Sequence, residues 1–349
     1  MMAHWALITE AAGPARGRTG GTVAPVLSVI VPFFDVEIYF RECLQSIAAQ
    51  SLRDLEVVLI DDGSTDDSLT LAREHCRADP RFRIVRQDNQ GLGPARNTGL
   101  RHAQGEYVAF ADSDDVLPVK AYETLVATLE ATGSDLASGN VRRLSTAGIA
   151  PYHGYGSTFD VDQTRTHITR YRALLTDRMV WNKVYRRRFW QQHDLAFPAM
   201  RYEDAPVTVL AHLLAESVDI VSTDVYYWRR REQGPPSITQ RMFEPGNLTD
   251  RVRMVQMTGE IITTRAPQLK ADYDRDMCAG NDLRAAVLGA RLLEPDDFAP
   301  TLSTAQHYLA EVDETVLADL PAPHRRNLQH LLAGRPSQIS DPLPLDGEW

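Results

Sequence analysis

Short apolar runs alternate with longer stretches of mixed apolar and polar residues over roughly the first 140 positions of the chain. The runs are rich in β-branched residues and end in turn-forming residues, which is typical of strands that are buried on both faces of a sheet. We therefore predict four strands in this part of the chain. They are Val26–Val31, Leu55–Ile60, Phe82–Arg86 and Tyr107–Ala111.

The stretches between these runs carry apolar residues at helical spacing, beginning with residues 36–50. Strands and helices that alternate in this way predict a Rossmann-like α/β fold, with a mostly parallel sheet and helices on both faces. The same alternation continues past the fourth strand. Further helices are predicted over Leu69–Cys76, up to Ala103 and over Tyr122–Thr132, with another strand at Asp135–Asn140.

The pattern is less regular after this point and becomes helical from about Asn247. We expect a loop over Ser145–Phe159, helical or mixed structure at Met179–Arg188 and Val207–Leu214, and two short strands at Val218–Val221 and Val225–Trp228. Pro and Asp residues near the C-terminus predict disorder. The chain is accordingly divided into a flexible leader at 1–25, an α/β domain at 26–245, a C-terminal helical region at 246–335 and a disordered tail at 336–349.

Composition narrows the class of protein. Apolar residues make up 43% and charged residues 24%, as in soluble globular proteins. A net charge of −10 argues against a nucleic-acid partner, which would require a basic surface. Three widely spaced cysteines match no metal pattern and favour a reduced cytosolic setting. No apolar run approaches the roughly 18 to 20 residues of a membrane span, and the first 25 residues are too interrupted for a signal peptide.

Each predicted strand is followed by polar residues. Asp35, Asp61–Asp62, Asp88–Asn89 and Asp112–Asp115 come after the first four strands in turn. Ligands of open α/β sheets bind beyond the carboxyl ends of the strands, and parallel strands bring these ends to one edge. The four clusters therefore predict a ligand site at this edge.

The cluster Asp112–Asp115 places three carboxylates within four residues. Carboxylates this close repel one another unless a cation cancels their charge. A hard divalent cation with oxygen ligands does so, and such ions commonly join protein carboxylates to a diphosphate. The alternative is a solvated turn that caps the helix expected near Val119, and the local sequence leaves both open.

Two further segments suit a nucleotide. A carboxylate in Asp61–Asp66 can accept hydrogen bonds from a base or a ribose, although a plain helix cap explains the same residues equally well. Asn89–Pro94 is a glycine-rich loop that lets a ligand approach the backbone, and Arg96 follows near a helix start that favours anions. The loop is no P-loop, because no Gly-Lys-Ser/Thr follows, and alone it is weak evidence.

Three segments further along the chain contain candidate functional residues. Asp204 of Arg201–Asp204 could act as a general base, although an exposed acidic pair before a helix explains it as simply. Trp181–Lys183 and Tyr226–Arg231 combine aromatic faces, which stack on sugars, with cations that suit phosphate oxygens. Core packing and a solvated cationic turn remain the alternatives. An arginine cluster in an acidic protein favours an anionic ligand.

Four motifs in order, Val29–Pro32, Ile60–Asp66, Ala95–Gly99 and Asp112–Asp115, resemble family 2 glycosyltransferases of the GT-A fold. The resemblance covers roughly residues 26–240. The later segments look like the subgroup that builds bacterial capsule and teichoic-acid-type polymers. This resemblance implies that a sugar is transferred from a nucleotide-diphosphate sugar, by base rate a UDP-sugar, with inversion at the anomeric carbon. The implied acceptor is a hydroxyl of an anionic or glycan molecule, such as a capsular or teichoic-acid-like polyol phosphate.

The resemblance also assigns roles. Asp204 is expected to be the catalytic base, and Asp114 to bind Mn²⁺ or Mg²⁺. Asp112 is expected at the ribose or at a metal-bound water, and Arg96 near the diphosphate. The remaining donor-binding residues are expected to be Pro32, Phe33, Phe34, Asp35, Asp61, Asp62, Asn89 and Ser113. Residues expected at the acceptor or the diphosphate are Trp181, Asn182, Lys183, Glu203, Arg229, Arg231 and Ser237.

Several alternatives stay open at this point. The acceptor could be a lipid-linked glycan or a small molecule. A cytoplasmic location leaves open a peripheral position at the inner membrane face, and the helical region could support a homo-oligomer. A nucleotidyltransferase would need a basic glycine-rich loop beside the first strand, where Pro32–Asp35 is apolar. A non-catalytic nucleotide-sugar-binding protein would be expected to lack Asp114 or Asp204, and both are present.

Overall fold

A mixed sheet of nine strands forms the centre of residues 24–345, which are the part of the chain that this computed structural model describes. The strand order is β3-β2-β1-β4-β8-β5-β9-β7, with β6 paired to β5. The bounds are β1 Leu27–Phe33, β2 Leu55–Asp61, β3 Phe82–Arg86, β4 Tyr107–Phe110, β5 Leu136–Ser145, β6 Gly148–Pro151, β7 Gln163–Thr166, β8 Lys183–Arg186 and β9 Val218–Arg229.

Helices cover the sheet and then form the C-terminal region. In the sheet-forming part they are α1 Glu37–Ala48, α2 Ser68–Ala78, α3 Leu92–His102, α4 Ala121–Thr132, α5 Arg187–Gln192 and α6 Asp204–Leu214. In the C-terminal part they are α7 Pro245–Arg265, α8 Lys270–Ala279, α9 Asn281–Leu292, α10 Pro295–Ala310, α11 Glu314–Ala318 and α12 Ala322–Leu332.

The mostly parallel sheet predicted from the sequence is confirmed. Strands β3, β2, β1 and β4 are parallel neighbours, and β8 runs antiparallel to β4 and β5. Strands β5 and β9 are parallel to each other, so six of the nine strands in the described chain run in one direction. The register aligns Phe33 with Asp61, which brings the ends of β1 and β2 to the same edge.

The later sheet strands differ from their predicted forms. Val218–Val221 and Val225–Trp228 belong to the single strand β9, because shifts in register against β5 near Asn140 accommodate the exposed residues between them. Within Met179–Arg188 lies β8, whose four residues are all buried between two strands. A segment this short carries too little periodicity to distinguish a strand from a helix.

Two predicted loops also contain regular structure. The stretch Ser145–Phe159 includes β6. The glycine-rich loop is shorter than predicted, because α3 already begins at Leu92 and takes Pro94 into its first turn. Proline is tolerated there, since the first N–H groups of a helix have no partner within the helix.

The C-terminal helices pack against the sheet-forming part through α7 and α6, and α7 starts at Pro245, beside the predicted boundary. The division into domains stays a prediction. Residues 336–345, for which the composition predicted disorder, instead pack on these helices: Ile339 is buried, and Asn327 exchanges two hydrogen bonds with Ser340. The predictions for residues 1–23 and 346–349 lie outside the described residues.

Helix α3 approaches β1 very closely at Gly99. A Cβ at this position would lie 2.3 Å from Cγ2 of Ile30, a β-branched side chain in the middle of a buried strand. Gly259 in α7 is the natural contrast, because a Cβ there would meet Tyr308 and Tyr273 at 3.4 and 3.5 Å, which is ordinary contact.

We expect Gly99→Ala to lower the free energy of unfolding by about 1–3 kcal/mol, because the added methyl overpacks the interface between α3 and β1. Gly259→Ala is the matched control and should be neutral or stabilising by up to about 1 kcal/mol, since alanine favours a helix. Denaturant unfolding of both variants measures the difference. Equal stability of the two variants would contradict the close approach at Gly99.

Candidate active site

The first part of the site lies where β1 ends. Pro32 and Phe33 are buried, and the Phe33 ring packs on Phe40 with centroids 4.6 Å apart. Phe34 is 45% exposed and Asp35 is half-buried. Of the four residues expected at a base and ribose, only Phe34 and Asp35 therefore present side chains to solvent.

Asp61 and Asp62 are buried and organise the neighbouring loops. Asp61 accepts hydrogen bonds from the Ser64 amide at 2.9 Å and from Arg86 Nε at 2.8 Å. Asp62 accepts from the amides of Gln90 and Gly91 at 3.0 and 2.8 Å. These carboxylates shape the edge of the site, and a ligand that contacts them must share oxygens already engaged.

Two other donor-site candidates differ in exposure. Asn89 is exposed, and its backbone passes so close to Gly63 that a Cβ on that glycine would lie 3.1 Å from the Asn89 amide nitrogen. Gly63 also has φ +82°, which a residue with a side chain rarely adopts. Ser113, which lies between Asp112 and Asp114 in the sequence, is buried.

A buried arginine joins two carboxylates from distant parts of the chain. Arg96 in α3 is 1% exposed, and its Nη2 donates to Asp112 Oδ1 at 2.6 Å. Its Nη1 donates to Glu203 Oε1, and its guanidinium lies 5.5 Å from the centre of the Phe197 ring. The expected contact of Arg96 with a diphosphate does not fit this arrangement, because Arg96 is buried and both terminal nitrogens already bind carboxylates.

The Arg96 ion pair brings the strand-end cluster next to the start of α6. Glu203 is 1% exposed, whereas its neighbour Asp204 is half-buried and accepts a hydrogen bond from the Ala205 amide at 3.0 Å. The side chain of Asp204 thus remains partly open to solvent beside Arg96 and Asp112. Glu203 faces Arg96, so the structure gives it a supporting role and not a direct contact with an acceptor.

Burial dominates the electrostatics of this group. It raises the pKa of Asp112, Glu203 and Asp204, and the positive charge of Arg96 opposes the rise in each case. Asp204 also raises the pKa of Glu203, because the two like charges are adjacent. A carboxylate with a raised pKa is a stronger base, which suits proton abstraction from a hydroxyl.

Arginines at and just after the end of β9 neutralise the second part of the aspartate cluster. Arg231 Nε donates to Asp114 Oδ2 at 2.6 Å, and Arg229 Nε donates to the Asp114 carbonyl at 2.6 Å. The backbone N–H of Arg229 donates to Asp115 Oδ1 at 2.6 Å. Asp115 is fully buried, so its carboxylate holds β9 to the cluster and does not reach solvent.

Sequence reasoning missed two side chains that support these arginines. Tyr39 in α1 lies under both guanidinium groups, at 5.1 Å from Arg229 and 6.0 Å from Arg231, and its hydroxyl binds the backbone of Gln233. Glu42, one turn further along α1, accepts from Arg229 Nη2 at 2.5 Å. Both residues resemble ordinary surface positions of an amphipathic helix, so no local signal identifies them.

The side chains of the Trp181–Lys183 segment lie in the interior of the protein. Trp181 is 5% exposed and stacks on Tyr226 at 4.3 Å, and the Tyr226 hydroxyl in turn accepts a hydrogen bond from the Asp112 amide at 2.9 Å. Asn182 and Lys183 are fully buried. Their expected contact with an acceptor or a diphosphate does not fit this burial.

A buried carboxylate explains why a lysine is tolerated here. Lys183 Nζ donates to Asp177 Oδ1 at 2.5 Å and to the Met179 carbonyl at 2.6 Å, and Asn182 Oδ1 accepts a third bond at 2.7 Å. A buried ammonium group is stable only when it is paired and hydrogen-bonded in this way. Ser237, the last candidate, is half-buried and binds Gln240 in its own turn.

The described residues include no group of three or more His, Cys, Asp or Glu side chains that could hold a metal ion by themselves. Asp112 and Asp114 nevertheless present hard oxygen ligands at one edge. Mg²⁺ and Mn²⁺ sites of nucleotide enzymes commonly use one or two carboxylates and take their other ligands from phosphates and water. The donor set therefore fits a cation that arrives with a diphosphate.

Comparisons with known proteins identify the fold and a family that matches part of the chain. Residues 24–345 contain no helix that is both long and apolar enough to cross a membrane. S. aureus TarS 1–349, solved in complex with UDP-GlcNAc, superposes with a TM-score of 0.74 at 23% identity, covering 89% of this chain and 88% of that chain. This likeness shows a shared GT-A-type fold, including the C-terminal helical region.

Residues 28–193 match the family model described as glycosyl transferase family 2. EpsH of Bacillus subtilis is 34% identical over 238 residues, which cover 64% of this chain and 66% of EpsH. The poly(ribitol-phosphate) β-N-acetylglucosaminyltransferase TarS of Staphylococcus aureus is 29% identical over 216 residues, 59% of this chain and 36% of TarS. The chain spans just under two thirds of EpsH and about a third of TarS. The match to glycosyl transferase family 2 thus covers residues 28–193, just under half of the chain.

We expect Arg96→Met to lower the free energy of unfolding by about 3–5 kcal/mol, because it leaves the buried Glu203 and the half-buried Asp112 without a counter-charge. Arg96→Lys should fall between this variant and the wild type, since one ammonium group cannot match two carboxylates in the way a planar guanidinium does. Denaturant unfolding measures both. Wild-type stability of Arg96→Met would show that the ion pair does not hold Asp112 and Glu203 together.

Proposed function

We propose that this chain is an inverting glycosyltransferase that moves a sugar from a nucleotide-diphosphate sugar, in the first place a UDP-sugar, to a hydroxyl of a cell-envelope polymer such as a polyol phosphate. The observation that supports this most is the Arg96 ion pair, which joins Asp112 to Glu203 and so keeps the partly exposed Asp204 beside the strand-end carboxylates. A general base next to a diphosphate-binding edge is what sugar transfer requires.

The choice of substrates draws on the relatives. TarS acts on poly(ribitol phosphate) by its name and has been solved with UDP-GlcNAc. Because both chains share the fold and the family, we take UDP-GlcNAc as the first donor and poly(ribitol phosphate) as the first acceptor to test. A lipid-linked glycan or a small molecule are the alternative acceptors.

In the proposed reaction Asp204 accepts the proton of the acceptor hydroxyl, and the resulting oxygen attacks the anomeric carbon. The bond from this carbon to the diphosphate breaks on the opposite side, and the nucleoside diphosphate leaves with the bonding electrons. The configuration at the anomeric carbon is inverted, and no covalent enzyme intermediate forms. The raised pKa of Asp204 favours this proton transfer.

Asp114, together with Asp112, would hold Mn²⁺ or Mg²⁺. When bound, the cation supplies positive charge that stabilises the departing diphosphate. Arg231 now neutralises Asp114 through a hydrogen bond of 2.6 Å. If a cation took the place of Arg231 at Asp114, this guanidinium could bind another anionic group such as a phosphate oxygen.

The Asp114 assignment predicts metal-dependent binding of the donor. We expect UDP-GlcNAc to raise the Tm of the wild type more with Mn²⁺ than without, because a ligand that binds only the folded state stabilises it. Asp114→Asn should lose this metal-dependent part. Asp224→Asn is the matched control. Asp224 on β9 lies outside the Asp112–Asp115 cluster, and its carboxylate pairs with Arg142 at a distance of 2.9 Å.

Two results would count against the proposal. A metal-dependent shift that persists in Asp114→Asn would remove Asp114 from the metal site. A wild type that responds to no nucleotide sugar in a panel of UDP-, GDP- and dTDP-sugars, with or without Mn²⁺, would contradict donor binding itself.

The Asp204 assignment predicts a different outcome. Asp204→Asn should bind the donor as the wild type does, while UDP release in the presence of poly(ribitol phosphate) falls by about 10²–10⁴-fold, as loss of a general base implies. Release of UDP and the anomeric configuration of the product are measured together. Loss of donor binding in Asp204→Asn would instead indicate a structural residue, and retention of configuration would contradict the inverting reaction.

A further inference from the structure

A buried carboxylate of the C-terminal helices binds two arginines from different parts of the chain. Asp282 in α9 accepts from Arg178 Nη2 at 3.0 Å and pairs with Arg251 Nη2 of α7 at 2.9 Å. The side chain of Asp282 is 4% exposed, and that of Arg251 is 6% exposed. Arg178 lies just before β8, so the three side chains tie α7 and α9 to the sheet-forming part.

The charges of this triad depend on one another. Burial alone would raise the pKa of Asp282, but Arg178 and Arg251 outweigh it and hold the pKa below its ordinary value. Without Asp282, two guanidinium groups would face each other in a largely water-free setting, which is strongly unfavourable. Asp282 therefore determines where both arginines lie.

Arg251 contacts the segment directly before Asp204. Its guanidinium lies 5.3 Å from the centre of the Tyr202 ring, a distance at which cation and ring attract. Tyr202 has φ +58°, a conformation that is unfavourable for a bulky side chain and persists only where its surroundings hold it. The neighbouring Asp250 of α7 binds Arg201 at 3.3 Å, so α7 holds two consecutive residues of this segment.

We propose that Asp282 is a positioning residue for Asp204, acting through Arg251 and its contact with Tyr202. The C-terminal helices would then have a role in sugar transfer. They would hold the segment before α6 in the conformation in which Tyr202 has a positive φ. The proposal rests on the proposed function of Asp204 as general base. A base displaced by a fraction of an ångström loses much of its rate advantage while the donor site is untouched.

The test compares two buried aspartates of the helical region. Asp282→Asn removes the charge at the triad. Asp274→Asn is the matched control, because Asp274 is 1% exposed and is bound by Lys270 at 2.6 Å and by the Tyr308 hydroxyl at 2.7 Å, with no part in the triad. Both variants lose one buried, paired carboxylate, so their effects on overall stability should be similar.

We expect Asp282→Asn to lower kcat with UDP-GlcNAc and poly(ribitol phosphate) by about ten- to a hundredfold, with the donor KM unchanged. Amide hydrogen exchange of the peptide 200–207 should become faster, since the strained segment loses its support. Asp274→Asn should leave both the kcat and the exchange of this peptide close to wild type.

Each other outcome overturns the proposal. Equal loss of kcat in Asp282→Asn and Asp274→Asn would mean that the triad only stabilises the fold. Unchanged exchange of peptide 200–207 in Asp282→Asn would mean that Asp282 does not order this segment. If Asp282→Asn fails to fold, Arg251→Lys is tested instead, because it keeps a positive charge for Asp282 and removes the planar group over Tyr202. A wild-type kcat and wild-type exchange of peptide 200–207 in Arg251→Lys would contradict the proposal.

The two proposals can fail separately. If the wild-type protein transfers no sugar, the proposed function of the chain is contradicted. The exchange measurement needs no substrate, and it still determines whether Asp282 orders residues 200–207.

Discussion

The arrangement of the site depends on one buried arginine side chain. Arg96 is almost inaccessible to water, yet it binds Asp112 after β4 and Glu203 before α6. Without its charge these carboxylates would repel each other in the interior, and the two segments could not meet. Arg96 therefore sets the distance between the strand-end cluster and Asp204, the partly exposed first residue of α6, whose pKa is raised by burial.

Charge balance around Asp114 follows the same rule on a more open surface. An acidic chain places two arginines, a tyrosine face and Glu42 around this aspartate. Arg229 is bound from several directions, whereas Arg231 has the more exposed environment and holds Asp114 directly. Such an arrangement can exchange one positive partner for another, which is what binding of a cation and a diphosphate at this edge would demand.

The C-terminal helices extend this network beyond the family domain. Residues 28–193 match the family model, but Asp204 and the residues that hold its backbone lie outside that match. At the start of α7, Asn247 binds the carbonyls of Ile238 and Arg241. Asp250 and Arg251 contact the segment before α6. Helix α7 thus connects two segments of the candidate site, because its polar residues face inward.

The sequence by itself determined the alternation of strands and helices and the edge at which polar residues gather, since both follow from local apolar periodicity and from the geometry of parallel strands. It also identified Asp112, Asp114 and Asp204 as candidates. Only the tertiary structure decided which carboxylates are open and which are engaged. Arg96 and Glu203 are 107 residues apart, and the burial of Lys183 and Asp61 depends on strands and loops brought in from elsewhere. Pairing of buried charges is a property of three-dimensional neighbours, so no local pattern could reveal it.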